Sequence, residues 1–480
     1  MIVVDCKKDI TTASYIPKTP DMPHQAVAKA HWGKKHAFAL FMDKGTGKTK
    51  TAIDKAGELF ISGEITGVLV VSLKSLHRQW SVVQIPKHLG CEFVADYWQN
   101  KPMSEAIMHP STKLAWFSTY IQALLVDRHF EMCCRFIEQH NGKVLMIIDE
   151  SSHSIKNRSS QQSQRASQLG QRCKYRAILS GDPRPKSPLD IWSQFMFLDE
   201  RIIGFRYKTA FMNRYCVLGG FKGKEIVGEK NSSELTQKIS NYAFTIRKED
   251  CLDLPPKVYD EWSFPLHDSV KPYLKQMKRD FLIKLSNGAF ASAANAAVML
   301  IRVQQLTCGK IVRDDGVIER VHNSRLEALK ELLATINSKK IVIWAHFNDD
   351  IADIMQFLGS EQAVSYWGGT SQKDREVAKE LFATSSSMRY FVGSPASGGV
   401  GLDGLQGECD TVIYYTNSDN ALHRWQSEDR THRIGTFKTV TYYDLICENS
   451  VDRRIIAALK RKQSLQELTL SEIRSVINEL

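Results

Sequence analysis

The 480-residue sequence predicts an α/β protein made of two tandem lobes, each a parallel sheet packed between helices. Three observations lead there. Short apolar runs at 37–42, 68–71, 114–117, 144–148 and 177–179 alternate with stretches of helical periodicity, as buried strands of a parallel sheet do. A glycine-rich stretch, Lys44-Gly45-Thr46-Gly47-Lys48-Thr49, follows the first run directly and opens an apolar helix. After residue 330 the alternation starts again, with β-rich runs at 340–344, 390–393, 411–415 and 439–443.

Taking the elements in order, residues 1–20 are polar and contain proline, which suits a tail or an edge element. Pro23 to Trp32 reads as a helix with proline in its first turn. Residues 21–255 form the expected first lobe, with an insertion at about 185–245. Within it, 205–230 mixes glycine with basic residues and reads as a basic surface loop, flexible or touching DNA. Residues 256–480 form the second lobe, with a helical insertion at about 265–320 and a closing helix at about 451–480.

Composition narrows the class. Hydrophobic residues make up 43%, with no unbroken apolar run of the length that spans a bilayer. The N-terminus lacks the basic start and apolar core of a secretory signal, so a cytoplasmic location is expected. Ten cysteines without a CxxC pair argue against a zinc module or a disulfide framework. A net charge of +11 leans toward a polyanionic partner.

The chemistry gathers in three places. In the glycine stretch, Gly45 and Gly47 let backbone N–H groups turn around phosphate; Lys48 would reach the β- and γ-phosphates of a nucleotide and Thr49 would bind Mg2+. Met42 stands where the usual GxxxxGK[ST] pattern has its first glycine. The run 144–148 delivers Asp149 and Glu150 to a strand end, where Asp149 suits metal binding through water and Glu150 the orientation or deprotonation of an attacking water. Far downstream, 426–435 carries Arg430 and Arg433, three apart and on one face if the segment is helical. By itself that segment also suits a solvated charged turn. Beside a phosphate loop, its arginines become candidates for the cations that stabilise a leaving γ-phosphate. From Ser151 to Gly181 there are six basic residues and no acid, Lys156 and Arg158 among them, which fits a solvated face or a phosphate-backbone contact.

The order Gln25, Gly-Thr-Gly-Lys-Thr, Val-Val-Ser-Leu through Trp80, Asp-Glu-x-x-His and Leu-Ser-Gly-Asp-Pro through Trp192 resembles superfamily 2 helicases, and most closely the Swi/Snf-type ATPases. Residues 245–257 look like the segment joining that family's two motor lobes, 300–308 and 324–326 like its helical insertion and the approach to the second lobe, and 393–405 like its glycine-rich coupling motif. The similarity spans about 22–463. It implies RecA-like lobes, ATP and Mg2+ as cofactors, and DNA as partner. It assigns Gln25 to adenine, Gln426 to the nucleotide, His153, Ser180, Gly399 and Gly401 to coupling, and Ser72 and Trp80 to nucleic acid, to which Lys156 and Arg158 of the basic run are added as candidates. Asp182 and Asp403 stand where the family has threonine and asparagine. With no chromatin-reading appendage visible, the compact chain resembles the stripped-down motors of phages or bacteria.

The leading expectation is therefore an ATP-driven motor that remodels or unwinds forked or branched DNA, with Lys48, Asp149, Glu150, Arg430 and Arg433 as its catalytic set. Translocation on duplex without strand separation is the alternative within that class. A nucleic-acid scaffold gated by ATP is the alternative from another class, and Asp182 and Asp403 are its support. A small-molecule kinase would leave the second half and its arginines unexplained.

Overall fold

A computed structural model describes residues 14–183, 187–219, 225–286, 293–313, 317–398, 402, 404–407, 409–418, 420–433 and 435–460. The chain divides into two compact units, one ending at Leu252 and one beginning at Asp253.

The first unit is built on seven strands: β1 Ala37–Met42, β2 Gly67–Ser72, β3 Phe93–Tyr97, β4 Leu114–Tyr120, β5 Val144–Ile148, β6 Tyr175–Ser180 and β7 Ala243–Ile246. They lie in the order β3-β4-β2-β5-β6-β1-β7, and every neighbouring pair is parallel. Successive side chains point to opposite faces, so each central strand feeds two cores. Ala37, Ala39 and Phe41 join one cluster, and Phe38, Leu40 and Met42 join the other. Burial on both faces is why these strands read as unbroken apolar runs. The edge strand β3 is only half-buried throughout and carries Asp96, so its apolar signal is diluted.

Two helices set up the glycine stretch. α1, Pro23–Trp32, has proline in its first turn and Gly33 at its C-terminal end with φ +52°. α2, Lys48–Ile61, starts from Gly47, whose left-handed backbone turns the chain out of β1 and into the helix. Residues 14–20 are tied down rather than loose: the Tyr15 hydroxyl donates to Asp54 Oδ1 (2.9 Å), and Lys18 N donates to the His88 carbonyl (3.1 Å).

Most of the described residues of the stretch read as a basic loop, 205–219 and 225–230, lie in regular secondary structure. It holds a helix, Lys208–Tyr215, and an antiparallel hairpin of Cys216–Gly219 with Glu225–Glu229. Phe211 and Tyr215 are fully buried and anchor this region, while Val217, Leu218 and Val227 of the hairpin are exposed. Two anchoring aromatics outweigh the glycine and lysine content that suggested a loop.

The main sheet of the second unit has six strands: β8 Lys257–Phe264, β9 Lys340–Trp344, β10 Ala363–Tyr366, β11 Tyr390–Gly393, β12 Cys409–Tyr414 and β13 Val440–Cys447. Their order is β8-β13-β12-β9-β11-β10, again all parallel. Helices Lys271–Ser286 and Ala293–Thr307 make up most of the insertion between β8 and β9. The closing helix is seen as Asp452–Lys460, and 461–480 lie outside the described residues.

One buried cation ties this unit together. Arg325 is fully buried; its guanidinium donates to the carbonyls of Tyr415 (2.8 Å) and Leu445 (2.7 Å) and to Thr307 Oγ1 (2.8 Å), and forms an ion pair with Asp452. It thereby links the strand ends of β12 and β13 to the insertion and to the last helix. Arg325→Ala would leave the buried Asp452 carboxylate without its cation. We expect a stability loss of about 3–5 kcal/mol in denaturant unfolding; a loss near zero would contradict this assignment.

Candidate functional site

The strand order brings three loops together. β5, β6 and β1 are neighbours in one parallel sheet, so the segments leaving their carboxyl ends share one edge. These are Asp149-Glu150 after β5, Gly181-Asp182 after β6 and the glycine stretch after β1. In open α/β sheets, ligands bind outside that edge.

The glycine stretch is shaped by its backbone. Gly45 and Gly47 have φ of +82° and +90°, a region that side chains disfavour. Gly47 has a second reason to lack a side chain: a Cβ there would lie 2.1 Å from Gln25 Nε2. Gln25 is buried and braced from both ends, its Oε1 accepting from Met22 N (3.0 Å) and its Nε2 donating to the Thr46 carbonyl (3.2 Å). Thr46 Oγ1 donates to the Asp43 carbonyl (2.7 Å), closing the loop on itself. Lys48 Nζ donates to the Met42 carbonyl (2.8 Å). Met42 is therefore the buried last residue of β1, with its carbonyl used by the loop lysine. Thr49 is half-buried in the first turn of α2.

The acids are held just as tightly. Asp149 is buried, and both of its oxygens are occupied by N–H groups: Oδ1 by Glu150 N (2.9 Å) and Oδ2 by Trp80 Nε1 (3.0 Å). Burial, with the Glu150 charge beside it, pushes its carboxyl up to about 6, against the pull of the Trp80 hydrogen bond and of Lys48. Glu150 has φ +47°, unusual for a residue with a side chain, and its carbonyl starts the short helix Ser151–Ser154. That turn sets His153 Nδ1 3.9 Å from Glu150 Oε2. Burial lowers the His153 pKa despite Glu150. Ser180 is fully buried and lies 3.0 Å, oxygen to oxygen, from Ser152, which joins the end of β6 to the acid-bearing turn. At Gly181 a Cβ would stand 3.3 Å from Lys48 Nζ, so the β6 turn packs against the loop lysine. The structure thus brings Gln25, Gly45, Thr46, Gly47, Lys48, Asp149, Glu150, His153 and Ser180 to one region of the first unit.

In the second unit, the arginine stretch differs from its expected form. The helix Ala421–Thr431 contains Gln426 and Arg430 and then stops. Arg433 lies beyond it in a turn, where its N–H donates to Thr436 Oγ1 (3.0 Å), and Gly435 follows with φ +95°. The two arginines do not share a helical face, because the helix ends between them. Arg430 Nη1 donates to the Leu402 carbonyl (3.1 Å), and Gln426 is buried. Glu428 is buried too: it accepts from Arg424 Nε, Lys257 Nζ and the Tyr259 hydroxyl, each at 2.8 Å. Burial alone would raise its carboxyl pKa, but Arg424 and Lys257 outweigh that and hold it below the usual value. Arg424, which the sequence did not single out, also bonds Asp444 (2.5 Å) and stands 3.4 Å over the Tyr414 ring. Glu428 is one helical turn away, but Asp444 lies 20 positions on, so the local sequence does not mark the network. Gly399, Gly401 and Asp403 lie outside the described residues.

The expected nucleic-acid contacts need correction. Ser72 is fully buried, and the Trp80 ring is 2% exposed, so neither presents a surface to a polymer. The exposed residues next to them are Lys74, Ser75 and Arg78, which follow the end of β2. The acid-free run is not acid-free in space: Arg165 pairs with Asp127, Arg172 with Glu138 and Lys174 with Glu64. Arg158 is half-buried and donates to Ser167 Oγ, whereas Lys156 is exposed. Among the described residues no helix is long and apolar enough to cross a membrane, and no three His, Cys, Asp or Glu side chains gather as a metal cluster.

The profile of the SNF2-related domain matches residues 25–310, and that of the helicase conserved C-terminal domain matches 324–435. An uncharacterized ATP-dependent helicase of Mycoplasma genitalium is 25% identical over 333 residues, which is 68% of this chain and 31% of that protein. One from Mycoplasma pneumoniae is 26% identical over 334 residues, 68% of this chain and 30% of the relative. The chain thus spans about a third of the length of these relatives. Among solved structures, the SWI2/SNF2 ATPase core of Sulfolobus solfataricus in complex with dsDNA is 20% identical, covers 96% of this chain and 98% of its own, and has a TM-score of 0.43. With the SNF2-related profile covering more than half of its length, the chain belongs to the SNF2-related family of superfamily 2.

Proposed function

We propose that this chain is an ATP-driven DNA motor. The observation that carries the proposal is the meeting of the glycine stretch, the Asp149-Glu150 pair and the Ser180-Gly181 turn at the carboxyl edge of three adjacent strands. Backbone N–H groups at the start of α2 suit a phosphate, and Lys48 adds the charge that a β- or γ-phosphate requires. Glu150 takes the part of orienting or deprotonating the attacking water. Gln25, braced against Thr46, takes the adenine edge. Arg430 and Arg433 take the part of cations supplied by the second unit, and Gln426 supports them at the nucleotide. His153 and Ser180, beside the acids, take the coupling part, as Gly399 and Gly401 do by resemblance.

Magnesium fits this donor set. A buried carboxylate raised toward 6 by its surroundings gains from a neighbouring cation, and a hydroxyl such as that of Thr49 completes the hard oxygen set used with nucleotide phosphates. When bound, Mg2+ would neutralise charge on the phosphates. DNA is the partner that the family suggests; Lys74, Ser75, Arg78 and Lys156, exposed in the first unit, are candidates for contacts with its backbone. A cytoplasmic location accords with this reading.

Lys48→Ala and Glu150→Gln should each abolish steady-state phosphate release while DNA binding, followed by fluorescence anisotropy, survives. Arg433→Ala should keep ATP binding and lose turnover; near-normal turnover in that variant would sink the role given to the arginines.

The finer reading is remodelling or unwinding of forked or branched DNA. Its support is the resemblance of the motif set to Swi/Snf-type motors, and the DNA substrate decides between it and plain movement on duplex. ATP-dependent strand displacement, measured in parallel on single-stranded, duplex, forked and four-way DNA, should favour the forked and four-way substrates. Movement on duplex with no strand displacement on any substrate would favour the plain translocase.

A further inference from the structure

Trp80 does something that packing does not require. It opens a π-helical turn, Trp80–Gln84, which follows the short helix His77–Gln79 after β2. Such turns re-aim side chains and recur at functional sites. The Trp80 ring is buried and stacks on Trp116 of β4, with ring centres 6.1 Å apart and an interplanar angle of 23°. The two indoles differ in what their N–H groups meet. That of Trp116 is buried and has no hydrogen-bond partner, whereas that of Trp80 donates to Asp149 Oδ2 at 3.0 Å. A phenylalanine would fill most of that apolar space but offers no donor, so the N–H is the part of Trp80 that packing leaves unexplained.

Its effect is on the carboxylate. With Glu150 N on Oδ1 and Trp80 Nε1 on Oδ2, the Asp149 carboxylate is held at both ends and cannot rotate without losing one donor. Each oxygen keeps a lone pair for a further ligand. Groups that orient a metal-binding carboxylate in this way matter nearly as much as the ligand itself.

We propose that Trp80 is a positioning residue for the metal–nucleotide complex, its indole N–H fixing the Asp149 carboxylate in the orientation that receives Mg2+. The proposal rests on the nucleotide reading above. It replaces the expectation that Trp80 contacts nucleic acid, and it gives the residue an orienting role.

The test is calorimetric titration of the full chain with ADP, in Mg2+ and in EDTA. In the wild type Mg2+ should tighten ADP binding. In Trp80→Phe the affinity in EDTA should stay within about twofold, while the gain from Mg2+ falls by about tenfold. In an Asp149→Asn background Trp80→Phe should cause no further loss of that gain. Full retention of the Mg2+ gain in Trp80→Phe would overturn the inference, and so would equal loss of ADP binding with and without metal, which marks a purely structural role. If Trp80→Phe does not fold, replacing Trp80 with benzothienylalanine, which keeps the ring shape and puts sulfur in place of N–H, carries the same two outcomes. A wild-type chain that binds no ADP overturns the nucleotide reading and this inference together; a wild type whose Mg2+ gain survives the loss of the N–H overturns the inference alone.

Discussion

A carboxylate buried at the end of a central strand is the constraint around which the first unit is arranged. Asp149 has lost most of its contact with water, and a charge in that position is costly unless it is met by donors or cations. The fold meets it from several directions. β5 sits between β2 and β6, so helices and turns from both sides can reach its carboxyl end. The N–H of the next residue, Glu150, meets Oδ1, and the π-helical turn after β2 brings an indole N–H to Oδ2. Lys48 supplies the nearby positive charge, and its position depends on the two left-handed glycines of the preceding loop. Removing any one of these would leave the carboxyl with more reason to be neutral.

The second unit handles buried charge differently, by pairing it internally. Arg424, Glu428, Asp444 and Lys257 form one network, and Arg325 with Asp452 forms another. The first network fixes the arginine-bearing helix against β8, whose first residue is Lys257. His432 Nε2 lies 2.7 Å from the Pro255 carbonyl, a second tie between the end of that helix and the segment leading into β8. Arg430 and Arg433 therefore stand on a scaffold held by buried ion pairs. Since each unit carries half of the proposed chemistry, each must order its own half first.

Much of this was legible in the sequence, and the limits have physical causes. Central strands such as β1, β5 and β9 announce themselves because both faces are buried. The outer strands β3, β7, β8 and β10 were not foreseen: β3 is half-buried and interrupted by Asp96, β8 carries Lys257, Asp260, Glu261 and Ser263 among its apolar residues, and β7 and β10 are only four residues long. The glycine stretch and the acid pair could be read because their chemistry is local. Trp80 could not, since its partner Asp149 is 69 positions away, and an aromatic residue after a strand looks equally like a stacking platform. The acid-free run misled for the same reason, its counter-charges coming from Glu64, Asp127 and Glu138 in other parts of the chain. The arginine pair failed on geometry: the helix ends at Thr431, where Thr436 folds back to donate to the Thr431 carbonyl (2.9 Å).

The central claim is that a nucleotide bound at the β5–β6–β1 edge is hydrolysed in a way that serves movement on DNA. Steady-state phosphate release by the wild-type chain, measured with and without saturating duplex DNA, tests it most directly. The account predicts multiple turnover that rises severalfold when DNA is present. Turnover indifferent to DNA, or no turnover at all, would contradict it.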